Sequence, residues 1–378
     1  MLGLLVYGVY DAFAILRYGA QSFAFVSASQ LHQSHASPTI DRYAHVTSHG
    51  GYDGQYYLFI ALDPRNAWHY LDRPAYRYTH IVYPILARIV ALGRPSAIPY
   101  ALIAVNVVAV VTGGVIVAAY LARRGRSPWL ACLYLFFPGI AEASSMDLGE
   151  PVAFALVAVG VWLVTESRAS RRLLLATVAF ALAGLDREIS LLVPLTLGAA
   201  GLLGFRPLGA ERRRDLALLV TGSLAPFVAW WTTTHVWLPE KLSNAPSLPA
   251  FPLGTWPYQG LIFSSGRDAL ADASVGFAGT VLLVACLVAL RRDRRDGMLL
   301  ALAVVLVANV VFLNDQSYGQ YFSAGRIQAG AVFLALLSID ALARTPIVAR
   351  LTRVALCVGF LPLPVLLVNL GLNGLKPL

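Results

Sequence analysis

Apolar runs near membrane-crossing length recur from one end of the chain to the other, at 2–16, 97–121, 128–143, 152–167, 172–186, 189–205, 216–237, 275–290, 298–313, 327–343 and 352–371. A helix needs roughly 20 apolar residues to cross the hydrocarbon. The runs at 128–143 and 172–186 fall short, as broken helices can where their ends line a cavity inside the protein. The pattern predicts an all-α polytopic membrane protein, residues 1–378 forming a single integral-membrane domain with about eleven transmembrane helices. Two polar stretches interrupt it, 17–96 and 238–274, both rich in aromatic residues. Loops longer than about 15 residues are usually functional or disordered, and aromatic content argues against disorder. Within the first, "IVYPILARIVALG" (81–93) carries Arg88 and is too short to cross, so it is expected to lie as a helix in the interface.

Composition strengthens that picture. The 378 residues are 58% hydrophobic and 13% charged, about half the charge of a soluble domain, with a mean hydropathy of +0.66. The net charge of +9 raises the question of nucleic acid, but a nucleic-acid face needs a continuous basic surface. Here the clusters "RRGR" (123–126), "RASRR" (168–172), "RPLGAERRR" (206–214), "RRDRR" (291–295) and "ARTPIVARLTR" (343–353) each occupy a short gap between apolar runs. That is the positive-inside pattern. With residue 1 cytoplasmic, all five clusters fall inside, and 17–96, 144–151, 238–274 and 314–326 face outside. The three cysteines lie in apolar runs without paired spacing, which suggests neither a disulfide framework nor a zinc site. The seven histidines form no metal motif.

Charges at span ends are costly and mark candidate sites. In "HGGYDGQYYLFIALDP" (49–64), Asp53 precedes a short apolar helix; it either caps that helix or belongs to a site where glycines admit close approach. In "SSMDLGEP" (144–151), Asp147 and Glu150 lie three apart, although Glu150–Pro151 could simply open a helix. In "GLDREISLL" (184–192), Arg187 either pairs with its acidic neighbours or offers its planar fork to a phosphate. In "NDQSYGQYFSAGR" (314–326), Arg326 stands at the outer mouth of a span, where positive-inside statistics disfavour it.

"GYDGQYYLFIALDP" followed by "PAYRYTHIVYPILARIVALG" resembles the first external loop of the GT-C superfamily of glycosyltransferases, especially bacterial relatives of the GPI mannosyltransferase II type. "MDLGEPVAFALVAVGVWLV", "LLLATVAFALAGLDREISLLVPL" and "YFSAGRI" resemble, in order, that family's acidic span-opening segment, its small-residue helix ending before an arginine, and its aromatic–arginine segment. Asp186 stands where the family usually has threonine, and "DLGE" departs from its usual acidic motif. The resemblance implies a GT-C-like fold with interfacial helices in the first external loop. It also implies transfer of a sugar, mannose or another hexose, from a polyprenyl-phosphate donor to a glycan, lipid or protein acceptor at the outer face of a bacterial plasma membrane. It carries Asp53 over as general base and Arg187 and Arg326 as donor-phosphate contacts, with Gln55, Tyr56, Arg77, Asp147 and Glu150 as further substrate contacts.

The residue types suit that chemistry. A carboxylate can take the acceptor hydroxyl proton as it attacks the anomeric carbon, and inversion follows where no second carboxylate serves as nucleophile. Arginines stabilise charge on the departing phosphate. No cofactor is established by the sequence, and Asp53 with Asp147 or Glu150 offers oxygen ligands that suit a divalent cation, Mg²⁺ or Mn²⁺. The alternative from another class is a transporter or lipid flippase, which also uses short helices and intramembrane charges.

Overall fold

The computed structural model describes residues 2–166, 170–205, 213–238, 267–312 and 321–362. Among these every regular element is helical, and extended backbone contributes an isolated bridge between Ser27 and Ser48. In chain order the α-helices are α1 (Leu2–Tyr18), α2 (Ala28–Leu31), α3 (Pro38–Tyr43), α4 (Gly54–Leu62), α5 (Pro74–Thr79), α6 (Val82–Val90), α7 (Ile98–Arg123), α8 (Cys132–Leu135) and α9 (Pro138–Ser145). They continue as α10 (Glu150–Glu166), α11 (Ser170–Gly184), α12 (Leu192–Leu202), α13 (Arg213–Trp237), α14 (Arg267–Arg292), α15 (Gly297–Phe312), α16 (Tyr321–Leu337), α17 (Ile339–Leu342) and α18 (Pro346–Gly359).

Among the described residues three stretches are long and apolar enough to cross a membrane, Pro95–Arg123, Arg214–Trp237 and Ala273–Arg292. Glu150–Thr165, Glu188–Leu202, Gly297–Asn309 and Gln328–Leu337 are apolar but shorter. The coarse expectation of an all-helical chain with membrane-length helices therefore stands, whereas eleven full-length spans are not what the described residues contain. The run at 128–143 shows why. Pro128 opens a 3₁₀ turn and Pro138 opens α9, so the run is three short pieces; proline cannot sit inside a continuous helix without losing a hydrogen bond and clashing. These pieces lie close against α7, where a Cβ on Gly114 would come 2.3 Å from Leu135 and one on Gly113 2.7 Å from the Tyr134 hydroxyl. The second polar stretch is also shorter than the pattern suggests, because α14 begins at Arg267. Its residues 239–266 lie outside the described residues, as do 363–371 of the last apolar run.

Residues 19–97 are a folded layer rather than a loop. All nine residues of α4 are buried, and with Ile40, Tyr70, Tyr78 and Tyr83 they form a core continuous with Leu102, Leu148 and Val152. The "IVYPILARIVALG" segment becomes the amphipathic α6, packed on α4 and α7. Arg88 donates to the carbonyls of Ala61 and Leu62 at 2.8 and 2.7 Å, so this charge caps the orphaned carbonyls at the end of α4. α7, α10, α11 and α13 pack in succession beneath this layer. Little of α13's apolar length is covered by the described residues, and its Trp231, Val236 and Trp237 are exposed, which leaves an unpartnered apolar face on this helix. At the far end of the bundle Arg126 reaches Asp340 at 2.6 Å and Arg344 pairs with Asp293, so three of the arginine-rich gaps meet there.

Candidate functional site

The turn before α4 is fixed by the segment it crosses. Tyr52 N donates to Phe25 O at 3.1 Å and Gly51 N to Ser48 Oγ at 2.9 Å, while Gly51 takes φ +73°, a conformation costly for other residues. Gln55 Oε1 accepts from Ser27 N and Ser27 Oγ. Gln55 thus anchors the turn to Ser27 and does not line the cavity described below. Gly54 is required by packing, since a Cβ there would lie 2.3 Å from Met146 O. Gly54→Ala is therefore expected to lower the thermal midpoint clearly, because a backbone carbonyl cannot swing aside. Gly50→Ala, with nothing within 4 Å, should leave it unchanged. Thermal unfolding of the two variants side by side checks this, and equal midpoints would show that the 146–149 turn does not rest on Gly54.

Asp53 occupies the N-cap position of α4, yet its side chain makes no capping hydrogen bond. Its carboxylate instead joins a chain of alternating charges. Arg77 on α5 forks onto Asp72 at 2.8 and 2.9 Å and reaches Asp53 Oδ1 with Nη1 at 3.0 Å. Arg326 on α16 meets Asp53 Oδ2 at 3.2 Å and lies 3.6 Å from Glu150 Oε1. Arg187 contacts the same Glu150 oxygen at 2.8 Å. The ladder Asp72–Arg77–Asp53–Arg326–Glu150–Arg187 thus holds three cations and three anions, brought together from α4, α5, α10, α16 and the turn after α11. Such mostly buried charges persist because each is paired. Burial opposes ionisation of Asp53, but the Arg77, Arg326 and Arg187 charges outweigh it and hold its carboxyl well below the usual range. Aromatic faces complete the setting: Arg77 lies 4.1 Å from the Tyr56 ring centre and Arg326 5.5 Å from that of Tyr52.

Several donors stay unused among the described residues. Arg187 Nε and Arg326 Nη1 are buried without a hydrogen-bond partner, a costly condition that marks a place for an acceptor. Both arginines line a cavity of ≈ 280 Å³. Its polar lining is Glu150, Arg187, Glu188, Arg326 and Tyr76. The apolar lining lies deeper by helix register: Phe154 and Val157 are one and two turns into α10 from Glu150, and Gly330 and Phe333 one and two turns into α16 from Arg326. Gly330 lies against Phe154, so the cavity has a polar and an apolar end.

The structure thus brings together Asp53, Tyr56, Arg77, Glu150, Arg187 and Arg326, and leaves out Gln55 and Asp147. Asp147 is fully buried at φ +50°. Its Oδ1 accepts from the Tyr83 hydroxyl at 3.2 Å, and that hydroxyl also accepts from Asn106. The neighbours of Arg187 diverge too: Asp186 accepts from Tyr83 N at 2.9 Å, and Glu188 contacts His80 at 2.6 Å. Neither is the local ion-pair partner that adjacency suggests. A divalent cation does not fit this donor set, since Asp53 and Glu150 are already held by arginines and Asp147 faces Tyr83. No group of three or more potential metal ligands converges among the described residues. Asp72, Tyr76, His80 and Glu188 join the site without a motif to announce them. No protein-family model, curated protein or solved structure matches the chain.

Proposed function

We propose that the chain is an integral-membrane glycosyltransferase that moves a hexose from a polyprenyl-phosphate donor to a hydroxyl acceptor, as the GT-C resemblance implies. The observation that carries this reading is the two-ended cavity, with unpartnered guanidinium N–H groups at one end and apolar walls at the other. An isoprenoid phosphate has the same two ends. Its phosphate oxygens suit Arg187 Nε and Arg326 Nη1, because charge-assisted bonds to a planar fork are strong and directional. Its chain suits the Phe154 and Phe333 end.

In the proposed step the acceptor oxygen bonds to the anomeric carbon as the carbon–oxygen bond to the phosphate breaks. The electron pair leaves with the polyprenyl phosphate, and the hydroxyl proton passes to Asp53. A carboxylate clamped by two arginines is a weak base. A donor phosphate that draws Arg326 toward itself removes one clamp and raises the basicity of Asp53 when substrate is present. Arg77, saturated by Asp72 and Asp53, positions the base without touching substrate.

The test is to incubate the purified chain with a polyprenyl-phosphate hexose and cell-envelope acceptor material, and to measure release of polyprenyl phosphate together with glycosylated product. Donor-dependent product supports the reading; absence of both product and donor binding overturns it.

Orientation forms part of the proposal: the layer 19–97 faces outward from a bacterial plasma membrane, and the N-terminus is cytoplasmic. The exposed His49 and Ser127 suit cysteine substitution in a background where Cys132, Cys286 and Cys357 are serine. His49→Cys should react with an impermeant maleimide in intact cells, and Ser127→Cys only after lysis. The reverse pattern would invert the topology and remove the site from the outer face.

A further inference from the structure

One carboxylate in the cavity is not held by an arginine among the described residues. Glu188 is 47% exposed, while the His80 ring that it contacts at 2.6 Å is only 1% exposed. A carboxylate serving solely to satisfy a buried imidazole would be enclosed with it. Here the acid reaches from the histidine into the cavity that it lines, with Oε2 engaged by His80 Nε2. Tyr76 stands beside it, packed edge-on against His80 with ring centres 4.9 Å apart at 88°. The charge of Glu188 pushes the Tyr76 phenol up to about 12, so the hydroxyl remains a neutral donor. Both Tyr76 and Glu188 line the cavity next to Arg187.

The cavity's polar end is therefore divided by charge. An anion is drawn to the unpartnered nitrogens of Arg187 and Arg326 and repelled by Glu188. A neutral polyol is suited to the Glu188 side, where a carboxylate accepts from hydroxyls, a phenol donates, and an aromatic ring offers an apolar edge to C–H groups. We propose that Glu188 and Tyr76 form a subsite for the hydroxyls of the donor sugar, with His80 as the buried positioning residue that orients the Glu188 carboxylate. The proposal rests on the lipid-phosphate reading of the same cavity, and it assigns the choice of sugar to residues outside the Asp53–Arg326 ladder.

Two probes of equal lipid length and equal charge separate the two ideas: a polyprenyl-phosphate hexose and a polyprenyl methyl phosphate, each titrated against the purified full chain in nanodiscs. The wild type should prefer the hexose probe. Glu188→Gln keeps size and lies on the exposed side of the pair, so it should fold. It is expected to reduce that preference about tenfold, the scale of one charge-assisted hydrogen bond, without weakening the methyl probe. Tyr76→Phe should lower the preference less. His80→Gln, which keeps a donor toward the carboxylate, should retain more of it than His80→Leu. An unchanged preference in Glu188→Gln and Tyr76→Phe overturns the subsite, as does parallel weakening of both probes. If the wild type binds both probes but does not distinguish them, the subsite alone falls. Binding of neither probe overturns the lipid-phosphate reading, and the subsite with it.

Discussion

Arg326→Lys and Arg187→Lys are each expected to lower donor-dependent turnover by about ten- to a hundredfold, the equivalent of one charge-assisted contact of roughly 1.5–3 kcal/mol. Lysine keeps the charge but not the geometry. Arg326 spends Nη2 on Asp53 and turns Nε toward Glu150, and has Nη1 to spare. A lysine ammonium is a compact point charge on a flexible stem and cannot bridge two carboxylates while presenting a third donor in a fixed direction. Its electrostatic hold on Asp53 survives better than its hold on a phosphate. The loss should therefore appear in donor binding and turnover more than in thermal stability. Arg88→Lys is the control, because Arg88 bonds the end of α4 and lies outside the ladder. It should lower the midpoint of thermal unfolding and leave the affinity for donor intact. Unchanged kinetics in both Arg187→Lys and Arg326→Lys would reduce the ladder to structural ion pairs.

Much of the helical layout is legible in the sequence, because apolar periodicity reports the demand for burial directly. The run read at 152–167 is the helix Glu150–Glu166, that at 298–313 is Gly297–Phe312, and that at 216–237 lies within Arg213–Trp237. Legibility fails where tertiary contact decides. The pieces of 128–145 depend on Gly113 and Gly114 of another helix admitting Tyr134 and Leu135, which no local window contains. The same divide runs through the site. Arg187 and Arg326 stand out in sequence because arginine is costly at span ends, and Asp53 because glycines flank it. Their pairing across 273 residues between Asp53 and Arg326 is not written in either neighbourhood. Asp147 and Glu150 look alike as acids three apart. They are distinguished by a backbone at φ +50° that turns Asp147 into the Tyr83–Asn106 network, while Glu150 opens α10 toward the arginines. Glu188 reads as a partner for adjacent Arg187, yet the turn after α11 sends it to His80, 108 residues away.

Asp53→Asn is expected to have the largest effect, a fall in turnover of about 10²–10⁴-fold, the usual scale of general-base catalysis. The absence of a capping bond from this side chain removes helix initiation as the reason for such a loss, and leaves two roles to separate: proton acceptor, and counter-ion of Arg77 and Arg326. An amide cannot accept the proton, and it also releases Arg326. The two roles therefore predict opposite changes in donor binding. If Asp53 is the base, Arg326 freed from it turns to the donor phosphate, and affinity for the polyprenyl-phosphate hexose holds or rises while turnover collapses. If Asp53 only organises the arginines, stability and donor affinity fall together with turnover. The pH profile gives a second separation. Arginine partners hold the carboxyl of the donor-free protein below the usual range, so Asp53 is ionised throughout ordinary conditions and loses its charge only as pH falls below that lowered value. The acid limb of kcat/KM, which reports the free enzyme, should accordingly lie below the ~3.9 of an unperturbed aspartate. The acid limb of kcat, which reports the donor-bound state, should lie higher, because the phosphate has drawn Arg326 away. Coincident limbs in the two profiles would show that donor leaves the Arg326–Asp53 pair intact, and the proton would then have to go to another group.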